Sequence, residues 1–199
     1  MNLCATLFPP RPQTAMNASP LATAWISLAL VCAASASASA AAAGKAHEHG
    51  VMKLDVVIEG KTLSIAIDSP LDSFLGFERA PRSDVERKAA ADLLTRLRGP
   101  DKGAPLFSPH AAAQCTLTKA EVDAPVLEAP KPAAAQGVHA DLTASYTYAC
   151  AQPGQLKSLD LGLFNVWRRL SRIDVQVAGP QGQSRQTLAR PARSIKLER

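Results

Sequence analysis

Between Met52 and Ile67 nearly every second residue is apolar. Met52, Leu54, Val56 and Ile58 alternate with Lys53, Asp55 and Val57; Glu59-Gly60-Lys61 interrupts; Leu63, Ile65 and Ile67 resume the pattern. A period of two is that of a strand with one buried face, and a glycine between two such runs folds them into a hairpin. The period returns over residues 140–150, where Leu142, Ala144, Tyr146, Tyr148 and Cys150 share one face and His139, Asp141, Thr143, Ser145 and Thr147 the other. It recurs at Leu159, Leu161 and Leu163, and at Ile173, Val175 and Val177 ahead of a Gly-Pro-Gln-Gly turn, with short strands predicted at 115–122 and 194–197. One segment obeys a different period. Val85, Ala89, Leu93, Leu94 and Leu97 recur at helical spacing behind Ser83-x-x-Glu86, a helix-capping pattern, and Gly99-Pro100 ends the run. Asp84 and Glu86 stand at the positive end of this helix and Arg96 and Arg98 at the negative end. Phe164, Trp167 and Leu170 suggest one further helical turn. The fold class is therefore α+β: a mostly antiparallel β-sheet built from hairpins, with one long amphipathic helix.

Residues 1–44 contain Arg11 as their only charged residue. An apolar run over 21–34 is followed by SASASAAAAG, small residues with several A-x-A sites, the pattern of a secretory signal peptide cleaved near 36–44. The run is too short for a stable transmembrane helix, which needs about 20 residues. Val31 before Cys32 is bulkier than lipoprotein processing requires, and Met16 is an alternative start. The expected mature chain, 45–199, has a length suited to a single α+β domain in the periplasm.

Without Arg11 the 22 Lys+Arg of the whole chain become 21, against 17 Asp+Glu, a mild excess of +4. The basic residues are scattered and do not interleave with aromatics, which argues against nucleic acid as a partner. Cys115 and Cys150 remain in the mature part. An even pair in an exported chain reads as a disulfide, and neither cysteine has the C-x-x-C spacing of a thiolate metal site.

His47-Glu48-His49 precedes the first strand, and two imidazoles at i, i+2 on extended backbone can reach one cation. By parity, His47 and His49 belong to the polar face of Lys53 and Asp55, as His139 and Asp141 belong to that of Thr143. The two halves read as distant structural repeats, each strand entered by a ligand-x-ligand pair. Three imidazoles and a carboxylate suit zinc, and imidazole also suits copper or nickel. Spacing alone, however, favours solvated polar residues. Glu78, in GFERAP, is either a carboxylate ligand or the ion-pair partner of Arg79; His110 reads as a loop residue. A nucleophile elbow, a phosphate-cradling glycine loop and H-E-x-x-H are all missing, so an enzyme is not expected.

HEHGVMKLDVVIEGKTLSIAIDSP, LGFERAP, QCTLTKAEV, VHADLTASYTYACAQP, LKSLDLGLF and RIDVQVAGPQGQ follow one another in the order of the blocks of the ZrgA-type family. The chain resembles that family over about residues 46–198, most specifically in H-x-H-G and G-F-E-x-A-P. The resemblance implies a soluble periplasmic zinc-binding protein, without stable membrane insertion, that assists zinc uptake or buffering beside an ABC-type zinc importer or its solute-binding protein. It implies His47, His49, His139 and Glu78 as candidate zinc ligands, with Asp141 or Glu78 as the supporting carboxylate. Two departures imply weaker zinc binding than the family norm. Arg79 stands where the family has histidine, and the segment between the cysteines carries few metal-binding side chains beyond His139. An arginine so placed would repel a cation by about 1 kcal/mol or more at 4 Å. The alternative readings are an envelope protein–protein interaction module that kept the fold but lost most ligands, and a copper or nickel handler.

Overall fold

The computed structural model describes residues 48–128 and 140–197. The expected signal peptide therefore lies outside the described residues, as do His47 and His139. The first hairpin forms as its period requires. Strand β1 (Val51–Glu59) pairs antiparallel with β2 (Thr62–Pro70), from Lys53 opposite Asp68 to Glu59 opposite Thr62, and Gly60 turns between them with φ 55°. Met52, Leu54, Val56, Leu63, Ile65 and Ile67 are buried, whereas Lys53, Asp55 and Val57 are exposed.

After β2 the chain makes one helical turn, α1 (Asp72–Leu75), stopped by Gly76 in the left-handed region. Helix α2 (Asp84–Arg98) starts where the capping pattern puts it, with Ser83 Oγ accepting from the Glu86 amide at 3.2 Å. Glu86 does not close the reciprocal bond of a capping box. Its Oε2 accepts from the Arg82 amide at 2.6 Å, and both its oxygens take the Arg79 guanidinium at 2.9 and 2.8 Å. Ala90, Leu93, Leu94 and Leu97 are buried, but Val85 is 80% exposed. The apolar face expected from Val85 onward reaches the core only in the second half of the helix, and ion pairs anchor the first turn instead.

Next come β3 (Phe107–Pro109), β4 (Cys115–Asp123), α3 (Pro125–Glu128), β5 (Asp141–Cys150), β6 (Ser158–Leu161), α4 (Leu163–Val166), β7 (Arg172–Gly179), β8 (Gly182–Ala189) and β9 (Ser194–Lys196). A six-stranded sheet has the order β4-β5-β2-β1-β7-β8, and a smaller one the order β3-β6-β9. The pairing of β1 with β7 is parallel; the others are antiparallel. The core joins the inner face of the large sheet to Leu93 and Leu97 of α2 and to Phe107, Leu159, Leu161 and Ile195 of the small sheet. Tyr146 packs against Phe107 with the rings tilted by 50° and their centroids 4.9 Å apart, and its buried hydroxyl donates to Leu97 O at 3.1 Å, satisfying a carbonyl of the last helical turn.

Three features differ from expectation. The parallel β1–β7 contact joins strands distant in sequence and has no local signal. The polar strand β8 lacks apolar alternation because it is an edge strand. Its Gln186 amide donates to Lys196 O at 2.7 Å and accepts from Lys196 N at 3.0 Å, so a side chain acts as a strand partner and ties β9 to β8. The expected repeat fails, because β5 lies in the large sheet and β6 in the small one. No helix among the described residues is long and apolar enough to cross a membrane.

Cys115 and Cys150 face each other in the β4–β5 register and form the disulfide, 35 positions apart. Closing that loop contributes about 3–4 kcal/mol by restricting the unfolded chain. Urea unfolding of Cys115→Ser/Cys150→Ser should show a loss of about that size. The Arg79 guanidinium and, after it, the Arg82 amide hold the Glu86 carboxyl down at about 2, from an ordinary value of 4.5. A depressed carboxyl stabilises the fold above its unfolded value, and the effect is lost as pH falls from about 4.5 towards 2. Glu86→Gln should lower the melting temperature at pH 7 and flatten its decline across that acid window.

Candidate metal centre

Glu48 and His49 do not lead into β1 as extended backbone. The Val51 amide donates to Glu48 O at 3.2 Å, closing a turn through His49 and Gly50, and Gly50 has φ 74°. The alternation that would put His49 on the face of Lys53 stops at this turn. Gly50 is required on two counts: its φ, and a Cβ there would lie 2.9 Å from Arg169 O. Its carbonyl accepts from Ser171 N at 2.8 Å, Arg172 N at 3.1 Å and Ser171 Oγ at 3.0 Å. Glu48 is engaged by the same segment. Arg172 grips both its oxygens at 3.1 and 2.6 Å, while the Arg172 Nε reaches Asp174 at 3.3 Å. Glu48 is therefore a clamp that fixes the turn.

The His49 ring, 65% exposed, stands between two carboxylates. Its Nε2 lies 3.3 Å from Glu78 Oε1, and its Nδ1 lies 3.8 Å from Asp72 Oδ2. The Glu78 contact has the distance of an ion pair but not the alignment of a hydrogen bond, so Glu78 Oε1 is buried without a hydrogen-bond partner. A buried carboxylate oxygen without a donor is costly and uncommon. The ion pair between Glu78 and Arg79 left open by the sequence gives way to another: Arg79 joins Glu86 and lies over the Phe77 ring at 5.0 Å. Its charge is thus matched by Glu86, which offsets the repulsion expected from an arginine in this loop.

Asp72, 14% exposed, and Arg169 were not singled out by the sequence. Arg169 donates from Nε to Asp72 O at 3.0 Å and from a terminal nitrogen to Asp72 Oδ1 at 3.2 Å, across 97 positions of chain. Such a contact leaves no trace in local spacing. Asp141 opens β5 opposite Pro70, and the Leu71 amide donates to Ala140 O at 3.0 Å, so the chain enters β5 two residues from Asp72. His110 is pinned through Nδ1, 2.8 Å from Gln155 O, as a structural loop residue.

Two ligands at 2.0–2.1 Å from one tetrahedral zinc are about 3.3 Å apart. His49 Nε2 and Glu78 Oε1 have that separation, and the unsatisfied oxygen is a donor suited to a cation. The pair fits two positions of such a shell. Among the described residues no group of three or more His, Cys, Asp or Glu side chains could hold a metal ion. The reason is geometric: Asp72 and Glu78 face opposite edges of the same imidazole, so they do not converge on one point.

No curated protein matches the chain. A family model described as ZrgA family zinc uptake protein matches residues 46–197, a stretch that includes the His-Glu-His-Gly sequence, the loop bearing Glu78 and every strand of both sheets. On that match, over most of its length, the chain belongs to the ZrgA family of zinc uptake proteins.

Proposed function

We propose that the protein is a non-catalytic, periplasmic zinc-binding protein that buffers zinc or hands it on during uptake. The observation that carries this reading is the buried Glu78 Oε1, which has no hydrogen bond and lies 3.3 Å from His49 Nε2. In the proposed site His49 and Glu78 are ligands, His47 and His139 complete the shell, and Asp141 supports it. The entry of β5 beside Leu71 favours the inclusion of His139, which immediately precedes Ala140. Export to the periplasm is supported by the apolar leader in the sequence and by the disulfide, since structural disulfides persist in oxidising compartments. The partner would be an ABC-type zinc importer or its solute-binding protein.

The docking-module reading has less support. The exposed large apolar residues Val57, Val85 and Val166 lie on three separate elements among the described residues, not in one patch. A copper or nickel preference would appear in competition titrations, because imidazole accepts those ions too.

Calorimetric titration of zinc into the protein at pH 7.5 tests the proposal. Saturable binding at micromolar zinc is expected, with His49→Ala and Glu78→Gln each weakening it by more than tenfold, or about 1.4 kcal/mol. Wild-type protein without saturable heat, or both variants binding as wild type does, would refute it.

A further inference from the structure

We propose that Asp72, held by Arg169, is the positioning carboxylate of His49: it takes the ring Nδ1–H and so keeps the Nε2 lone pair turned towards Glu78 and the zinc ion. The inference rests on the reading of His49 and Glu78 as ligands and assigns a role to two residues outside the ligand set. A histidine that ligates through one nitrogen normally donates its other N–H to a carboxylate, carbonyl or water, which fixes the tautomer and the plane of the ring.

The two carboxylates beside His49 differ in ways that assign their roles. Glu78 Oε1 has no hydrogen-bond donor and is free to accept a cation. Asp72 is already committed. Arg169 holds its Oδ1 at 3.2 Å and its backbone oxygen at 3.0 Å, leaving Oδ2 on the side of His49 Nδ1. A carboxylate neutralised by a guanidinium is a poor metal ligand and a good fixed acceptor. The 3.8 Å from Oδ2 to Nδ1 is longer than a hydrogen bond. A swing of about 1 Å by the exposed ring would bring the two to bonding distance.

The loop is shaped to let Arg169 do this. Gly76 has φ 82°, and a Cβ there would lie 3.1–3.2 Å from the Arg169 guanidinium, so glycine leaves the arginine room to lie against the segment joining Asp72 to Glu78. Arg169 belongs to the same stretch as Ser171 and Arg172, which hold the turn carrying His49. The His49 turn and the Asp72–Glu78 loop are therefore anchored to one common segment.

Asp72→Asn is the informative variant because it keeps shape while altering hydrogen bonding. Arg169 would retain the amide oxygen, and the NH2 group would face the ring and favour the tautomer with its proton on Nε2. Zinc titration should show affinity reduced about 10- to 100-fold, with the thermal unfolding of the metal-free variant close to wild type. In wild-type protein loaded with cadmium-113, nitrogen–metal coupling should appear on Nε2 of His49, with a slowly exchanging Nδ1 proton that Asp72→Asn loses. Metal on Nδ1 in the wild type overturns the proposal even if the variant does not fold. Normal wild-type zinc binding with Asp72→Asn within twofold of it overturns this inference alone. Absence of wild-type zinc binding overturns the functional reading and this inference together.

Discussion

The carbonyl oxygen of Gly50 receives three donors from a segment more than a hundred positions away, the amides of Ser171 and Arg172 and the Ser171 hydroxyl. This knot lies at the mouth of the parallel β1–β7 pairing, where Val51 stands opposite Arg172. It fixes the turn bearing His49. Arg172 then locks Glu48, and Arg169, from the same segment, reaches across to Asp72 at the start of α1. Without the parallel register neither contact would form, and the imidazole and the two carboxylates would have no common frame.

Within that frame the electrostatics are unequal by design of the fold. Two carboxylates face one imidazole, and one guanidinium neutralises only Asp72. Glu78 is left with a buried oxygen that no donor satisfies, a penalty that a bound cation would remove. Arg79, which the sequence places beside Glu78, is turned onto Glu86, where it also anchors the start of α2. One exchange of partners thus frees Glu78 and secures the helix.

What the sequence revealed was local. The β1–β2 hairpin, the Ser83 cap and the burial alternation of β5 are each set by residue types a few positions apart, and the Cys115–Cys150 link joins the two cysteines that follow residue 44. The β1–β7 register depends on a partner distant in sequence, and the polar edge strand β8, though joined to β7 by a tight turn, carries no apolar period. The same limit applied to the site. Glu78 stood out as an acid in the GFERAP loop, which also resembles a family motif, whereas Asp72 and Arg169 meet across 97 positions and carry no local signal. For His49 strand parity fails for a definite reason: Gly50 bends the chain, so alternation cannot be extended back through it. His47 and His139 lie outside the described residues, and the proposal that they join the site rests on the resemblance and on where the chain enters β5.

His49 and Glu78 are proposed to share one zinc ion. Diffraction from crystals grown with zinc, recorded on either side of the zinc absorption edge, tests it most directly. An anomalous peak is expected about 2.0–2.1 Å from both His49 Nε2 and a Glu78 carboxylate oxygen. A peak bound by other residues, with His49 and Glu78 still facing each other unmetallated, would contradict it.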